Sequence, residues 1–201
     1  MATADPPQPA NRPTTDTLAA AARSAARKGP APVHLWNPPF CGDLDMRIAR
    51  DGTWFYLGTP IGRKPLVRLF ASILKREGDR FYLVTPVEKL GIAVEDTPFL
   101  AVLMRREVAG AESRIVVTTN VGEEIVAGPD HPIRYVLRNG EWAPYIEVRA
   151  GLEALISRTV FYDLVAIGET REIDGKLWFG VSSAGAFFPF RPSDEIFADQ
   201  A

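Results

Sequence analysis

One cysteine, Cys41, and two histidines are all that this chain of 201 residues offers for disulfides or zinc. An internal disulfide cannot form, and the usual Cys/His set of a structural zinc site cannot be assembled. A reducing, cytoplasmic setting fits that scarcity best. Nowhere does a run approach the roughly 18 consecutive apolar residues that a membrane span requires. The start, Met1-Ala2-Thr3-Ala4-Asp5-Pro6, lacks the basic and apolar regions of a secretory signal. An excess of charge is missing too, since 23 Lys and Arg face 25 Asp and Glu for a formal net charge of -2. No global field therefore draws the chain onto nucleic acid or an anionic membrane, and neither is expected as a partner.

Catalytic signatures are equally scarce. The phosphate-binding GxxxxGK[ST], the dinucleotide GxGxxG, the zinc-protease HExxH and the esterase GxSxG do not occur. Their absence counts against the commonest kinases, dehydrogenases, metalloproteases and hydrolases, and it leaves no cofactor implied. Asp130-His131-Pro132 has the residue types of an oriented general base, but adjacent side chains rarely face one another, and a packed or solvated loop histidine is expected. Cys41 has no base near it in sequence and reads as a small buried thiol, not a nucleophile. Glu88, Glu95 and Asp96 flank one strand candidate without the spacing of a calcium loop. Turn capping and pairing with Lys89 or arginines is expected of them, and no metal site.

What the chain does have is an ordinary globular balance, 46% hydrophobic and 24% charged, enough for one sizeable core or two small ones. Residues 1–16 hold Pro, Thr and Ala with almost no large apolar side chain, so they cannot offset ordering entropy and are expected to be disordered. The Ala-rich run Thr17–Lys28 follows as a short helix, capped by Thr15 or Asp16, ended by Gly29 and weak alone. From Pro30 to Cys41 the prolines impose an extended path while Val33, Leu35, Trp36 and Phe40 want burial. That combination predicts a strap across the folded body.

Asp51-Gly52, between alternating apolar runs, predicts a two-residue type I′ hairpin with Ile48 facing Phe55, Met46 facing Leu57 and Ala49 facing Trp54. Pro65 then suits a first helical turn, and Leu66, Leu69, Phe70, Ile73 and Leu74 recur at helical spacing. Gly78-Asp79 is expected to end that helix before a strand at Phe81–Thr85. The same order returns later. Asn139-Gly140 with Trp142 repeats Asp51-Gly52 with Trp54 at an offset of 88 (139 − 51). Gly151–Ile156 repeats the helical pattern of Pro65–Phe70 at 86 (151 − 65), and Gly175–Val181 repeats Gly78–Val84 at 97 (175 − 78). Between them lie further strand candidates, Leu90–Glu95, Phe99–Val108, Arg114–Thr119 and Glu123–Ala127. The expectation is an α+β fold of two duplicated β-hairpin/helix/strand units with a mostly antiparallel sheet. Its divisions are an N-terminal extension at 1–29, disordered or marginally helical, a strap with the first repeat domain at 30–128, and a second repeat domain at 129–201.

A family resemblance is carried by Asp51-Gly52-Thr53-Trp54, Pro60-Ile61-Gly62-Arg63, Leu69-Phe70-Ala71-Ser72-Ile73-Leu74 and Thr85-Pro86-Val87-Glu88-Lys89. It continues through Val94-Glu95-Asp96-Thr97-Pro98-Phe99, His131-Pro132-Ile133-Arg134 and Val148-Arg149-Ala150-Gly151-Leu152-Glu153-Ala154. Through these segments the chain, from about Pro32 to Phe190, resembles the bacterial domain-of-unknown-function family twelve-eighty-five. The resemblance implies a two-domain body, a C-terminal part superficially like pleckstrin-homology folds, and a binding or signalling role in a family without an assigned activity.

Cations supply the one functional pattern. Lys64, Arg68 and Lys75 lie opposite the apolar side of the first predicted helix, as a solvated face would. In the second predicted helix Ala154, Ser157, Arg158 and Phe161 share the side away from Leu152, Leu155, Ile156 and Thr159, so something is expected to cover it. Arg149 before Gly151, and Arg63 with Lys64 before the first helix, stand where helix N-termini favour anions. Structural pairing of these arginines with Glu88, Glu95, Asp96 or Glu153 is the competing reading. The function read from the sequence is a non-enzymatic, regulatory binding module whose cleft between the repeats takes a small anion, nucleotide-like or a peptide carboxylate. Arg63, Arg149 and Arg158 would contact it, His131 and Arg134 would line the junction, and Trp54 or Trp142 would offer a stacking face. The alternatives are an enzyme acting on a phosphorylated or carboxylated metabolite through His131, and a scaffold that binds a partner chain.

Overall fold

The structure, a computed structural model, describes residues 15–26, 31–109, 112–138 and 140–193. The Ala-rich run forms helix α1 (Thr15–Ala26). Its Leu18, Ala19 and Ala22 are buried in the main core, so tertiary packing holds a helix that would be marginal alone. Disorder was expected for residues 1–16; Thr15 and Asp16 belong to α1, and residues 1–14 lie outside the described residues.

Two six-stranded sheets follow, and each is a pair of three-stranded meanders. In the first, β1 (Phe40–Ile48), β2 (Trp54–Tyr56) and β3 (Thr59–Pro60) precede helix α2 (Lys64–Ser72), and β4 (Leu74–Glu77), β5 (Arg80–Val84) and β6 (Lys89–Val94) come after it. The strand order is β3-β2-β1-β6-β5-β4, with β1 and β6 parallel at the centre and every other pair antiparallel. The second sheet holds β7 (Phe99–Ala109), β8 (Glu112–Thr119), β9 (Glu124–Val126), β10 (Ile133–Arg138), β11 (Glu141–Arg149) and β12 (Leu152–Ile156). Its order, read as β9-β8-β7-β12-β11-β10, is that of the first sheet strand for strand, again with first and last strands parallel at the centre. Helix α3 (Arg158–Ala166) leads to a separate three-stranded antiparallel sheet of β13 (Glu169–Ile173), β14 (Lys176–Ser183) and β15 (Ala186–Pro192). A single core joins the units, with Met46, Trp54, Phe70 and Leu83 from the first and Phe99, Val117, Ile146 and Leu152 from the second.

The α+β class, the mostly antiparallel pairing and the duplication therefore hold, but the duplicated unit is a different one from the alignment above. Gly151–Ile156 does not repeat a helix. Ala150 and Gly151 have φ of 46° and 75°, and they turn β11 directly into β12, whose residues pair with β7 in the sheet. The helix that does follow starts at Arg158, an offset of 94 from Lys64 (158 − 64). The chain repeats the local order of hairpin, strand, helix and hairpin, yet β13 and β14 pair outside the second sheet, where β4 and β5 lie inside the first. The two sheets divide between Val94 and Phe99, ahead of the 128/129 division read from the sequence, because β7, β8 and β9 are the first meander of the second sheet.

Other expectations shift locally. The first hairpin pairs Ile48 with Trp54, Arg47 with Phe55 and Met46 with Tyr56, one residue off the predicted register. Only Gly52 of the Asp51-Gly52 pair has positive φ, and its N–H donates to Ala49 O, so Arg50, Asp51 and Gly52 form a three-residue loop with a terminal bulge. The Asp51 carboxylate accepts the Thr53 N–H at 2.9 Å, which fixes that longer loop. Helix α2 stops at Ser72, and Gly78-Asp79 turns β4 into β5 instead of ending the helix. In the strap, Val33–Leu35 is a 3-10 turn and Trp36 packs on the core, but Phe40 is 49% exposed because β1 begins there with its first residues outside the core. Cys41 is exposed for the same reason.

Candidate functional site

The residues singled out for anion binding do not converge. Arg149 ends β11, pairs with Glu123 and donates to Ala71 O at 2.7 Å, with no helix N-terminus beside it. Arg134 on β10 pairs with Glu153. Arg158 is exposed at the start of α3, whose N-cap Ser157 already accepts the Val160 N–H. His131 holds Glu147 O through Nδ1 at 3.1 Å. Trp142 is 52% exposed and stacks on Tyr135, whereas Trp54 is buried and stacks on Phe70 of α2, so the two tryptophans are not equivalent. Arg63 is the exposed N-cap of α2, next to Lys64.

Two clefts of similar size lie where the sheets meet. The first, about 280 Å³, is lined by Arg76 from the first sheet, Asp96 and Thr97 from the connection, and Arg138 and Glu153 from the second sheet. Its charges are spent on each other. Asp96 and Glu153 have side chains only 3% and 4% exposed, and Arg138 bridges them at 3.2 and 3.1 Å. Arg50 approaches Asp96 at 3.6 Å, while Arg134 pairs with Glu153 and Arg76 reaches it at 3.9 Å. The Tyr145 hydroxyl donates to Asp96 at 3.0 Å, and burial first, then that hydrogen bond, pushes its pKa up to about 12. Arg76 also donates to Gly151 O at 3.0 Å, across the junction. Buried carboxylates closed off by arginines from several strands make a structural latch, built by Arg50, Arg76, Arg134 and Arg138 and not by the Arg63 and Arg149 for which pairing with Asp96 or Glu153 was the competing expectation.

The second cleft, about 270 Å³, is different in kind. Lys64 and Arg68 of α2, Trp54 of β2 and Ile61 come from the first unit, and Asn120 and Val121 of the β8–β9 turn come from the second. No acid lines it. Neither Lys64 nor Arg68 has an ion-pair or hydrogen-bond partner among the described residues. Asn120 closes the cleft across the junction, donating from Nδ2 to Gly52 O at 3.1 Å and accepting the Leu100 N–H at 3.1 Å. The Arg68 guanidinium lies over Gly122, where a Cβ would meet Nη2 at 3.6 Å. Trp54 Nε1 is buried and finds no partner among the described residues.

Sequence reasoning named Trp54, Lys64 and Arg68 but had no means of grouping them with Asn120 and Val121, which reach the cleft only through the pairing of β7 with β8. Trp142 and Phe161 were each named from the sequence, but their grouping with Tyr135 and Phe190 was missed, since the four are spread over four elements. No set of three or more His, Cys, Asp or Glu side chains among the described residues is placed to hold a metal ion. No helix among them is long and apolar enough to cross a membrane.

Comparison with known families matches residues 31–97 to the N-terminal domain of DUF1285, a domain of unknown function, and residues 98–190 to the DUF1285 C-terminal domain, of a protein of unknown function. The seam between the two matches coincides with the division between the sheets. The crystal structure of a DUF1285 family protein from Silicibacter pomeroyi DSS-3 shares 58% identity, with a TM-score of 0.79 over 90% of this chain and 97% of that one. A DUF1285 family protein from Shewanella baltica OS155 shares 30% identity, with a TM-score of 0.50 over 61% of this chain and 91% of that one. No curated protein matches the chain.

Proposed function

Because the chain belongs to the DUF1285 family, whose two domains are of unknown function, its role has to come from its own residues, and we propose a non-enzymatic binding module that takes a small anion in the second cleft. The observation that carries this reading is the pair of cations Lys64 and Arg68, without an ion-pair or hydrogen-bond partner among the described residues, in a cleft walled by both units and lined by no acid among them. Exposed cations on a helix are usually a solvated face. These two differ in that they border a concave site with apolar walls, which a solvated face does not need. The charge-filled cleft supports no such reading, since removing any of its arginines leaves a buried carboxylate short of a partner.

Ligand contact passes from Arg63, Arg149, Arg158, His131, Arg134 and Trp142 to Lys64 and Arg68, with Trp54 in the apolar wall of their cleft. Thermal unfolding of the wild-type chain with sulfate, phosphate, nucleotides and small carboxylates tests it. At least one anion is expected to raise the midpoint, and Arg68→Gln is expected to abolish the rise without lowering the midpoint in plain buffer. If no anion raises the wild-type midpoint, the reading is wrong.

A further inference from the structure

Independently of the anion cleft, we propose a second binding site in the C-terminal unit for a small aromatic monocarboxylate, its ring enclosed by Tyr135, Phe161, Phe179 and Phe190 and its carboxylate held by Arg191. The site follows from a difference between the two units. In the first, β4 and β5 complete the sheet on β6, whereas in the second β13 and β14 leave with β15 as a sheet of their own. Strand β15 then lies beside β10 without belonging to its sheet, and α3 packs against β14. A cavity of about 210 Å³ remains between these elements. It is lined by Tyr135 of β10, Phe161 and Val165 of α3, Phe179 of β14, and Phe190 and Arg191 of β15.

Rings that only fill a core close on one another and leave few voids larger than a water molecule. These rings leave room for a ligand. Tyr135 and Phe161 are nearly parallel, 5.6 Å apart with an interplanar angle of 7°, Phe190 is tilted by 46° and 50° to them, and Phe179 meets Phe190 edge-on at 6.4 Å. The walls thus combine ring faces and ring edges, against both of which a further ring packs well. Gly168 sets the Phe179 wall: a Cβ there would lie 2.2 Å from the tip of that ring, and Gly168 has no positive φ that would itself call for glycine. A side chain at 168 would displace Phe179. Trp142, half exposed and stacked on Tyr135, continues the apolar surface outward, and contiguous exposed apolar surface of this kind marks binding sites. Arg191 stands directly opposite Phe179 across the β14–β15 pair and is the one charged residue among the described lining, so the field there favours an anion. It has an interaction of its own within the chain, and the five donors of a guanidinium let it keep that partner while taking a carboxylate. At about 210 Å³ the cavity is smaller than the roughly 300–1,000 Å³ of sites for drug-sized ligands, which suits one ring and not a fused system.

Titration of the full chain, followed by NMR, with phenylacetate, cyclohexylacetate, benzyl alcohol and N-acetylphenylalaninamide tests the assignment. Phenylacetate is expected to bind tightest, with cyclohexylacetate, which lacks the aromatic face, and benzyl alcohol, which lacks the charge, each weaker by about tenfold. In wild-type protein the phenylacetate ring protons should show nuclear Overhauser contacts to the Val165 methyls and none to those of Val67 or Val121 in the anion cleft. Val165→Trp, at a helix position that is 39% exposed, should fill the cavity from its rim and abolish binding. Arg191→Gln should bring phenylacetate down to the level of benzyl alcohol and leave benzyl alcohol unchanged. Contacts to Val67 or Val121 in place of Val165 would overturn the site. Benzyl alcohol binding as tightly as phenylacetate would overturn the carboxylate assignment, and cyclohexylacetate doing so would overturn the aromatic one. Tighter binding of N-acetylphenylalaninamide would replace the free acid by a peptide side chain, and a dimer in sedimentation that Trp142→Ala dissociates would replace it by a second copy of the chain. No binding by any probe would overturn the proposal while leaving the anion cleft untouched.

Discussion

Arg149 at the end of β11 donates from Nη2 to the carbonyl oxygen of Ala71, on α2 of the other unit, across 2.7 Å. Its Nη1 pairs with Glu123 and its guanidinium lies 5.2 Å from the centre of the Phe99 ring, so one side chain ties α2 to two strands and a turn of the second sheet. Arg149→Ala is expected to lower stability by about 1 to 3 kcal/mol. A hydrogen bond from a charged donor contributes about 1.5 to 3 kcal/mol, and the partly exposed Glu123 keeps some hydration when its partner goes, which softens the loss. Arg149→Lys should restore only part of it, since an ammonium cannot serve both acceptors in that fork geometry. Urea unfolding measures both variants, and unchanged stability in Arg149→Ala would remove the tie.

Arg138 has a larger effect to exert, because both of its partners are almost fully buried. Removing one member of a buried ion pair costs about 3 to 5 kcal/mol when the other is left uncompensated. Arg50 and Tyr145 still attend Asp96, and Arg134 and Arg76 still attend Glu153. Arg138→Ala is therefore expected near the low end, about 3 kcal/mol, by the same urea measurement. A loss below about 1 kcal/mol would mean that the remaining arginines suffice and that the latch is redundant.

Strands were legible in this chain wherever alternation ran for several residues, as in β6, β7 and β8, and so was the α+β class. Turn chemistry was legible only where Asn or Asp announced it. Every non-Gly residue of positive φ among the described residues is the first of an X-Gly pair closing a hairpin: Leu57, Ala150, Asp174 and Ala184. With Leu or Ala in that place the pair carries half the usual signal. Missing Ala150-Gly151 turned β12 into a helix on paper, since Leu152, Leu155 and Ile156 fit a helical spacing as well as a buried strand. The site was legible as residue types and not as a place. Lys64 and Trp54 are near in sequence, but Asn120 and Val121 meet them through long-range strand pairing that no local pattern encodes.

Ala150 offers a direct check on that turn. Its φ of 46° is a left-handed conformation that costs an L-residue with a Cβ about 1 to 2 kcal/mol, and Asn tolerates it better. Ala150→Asn builds the favoured Asn-Gly pair at an exposed site and is expected to raise stability by about 0.5 to 1 kcal/mol in thermal or urea unfolding. A decrease would show that the turn is not of the kind described.

Trp54 and Trp142 occupy matching places beside Gly-containing turns in sequence and opposite ones in space. Trp54→Ala opens a cavity beneath α2 and is expected to cost about 3 to 5 kcal/mol. Trp142 is half exposed and loses mainly its stacking on Tyr135 when truncated, about 0.5 to 1.5 kcal/mol. Chemical denaturation of the two single variants should separate them by at least about 2 kcal/mol, and equal losses would contradict the burial of Trp54.

Tyr145 gives the latch a signature in alkali. Its hydroxyl donates to Asp96, and ionising it would place a second negative charge against that carboxylate inside the core. Its pKa in the folded chain is about 12, against about 10 for an unfolded tyrosine. A raised pKa means that the protonated form is favoured by folding. The stabilisation is fully present below pH about 10 and is lost as the pH climbs toward 12, where the unfolded chain has released a proton that the folded chain retains. Across that interval wild-type stability should fall by on the order of 1 kcal/mol per pH unit more steeply than that of Tyr145→Phe, which has no proton to lose. Urea unfolding of both proteins at pH 9, 10, 11 and 12 (roughly unit steps across the interval) measures the difference in slope. Parallel curves would place the Tyr145 hydroxyl in water and detach it from Asp96.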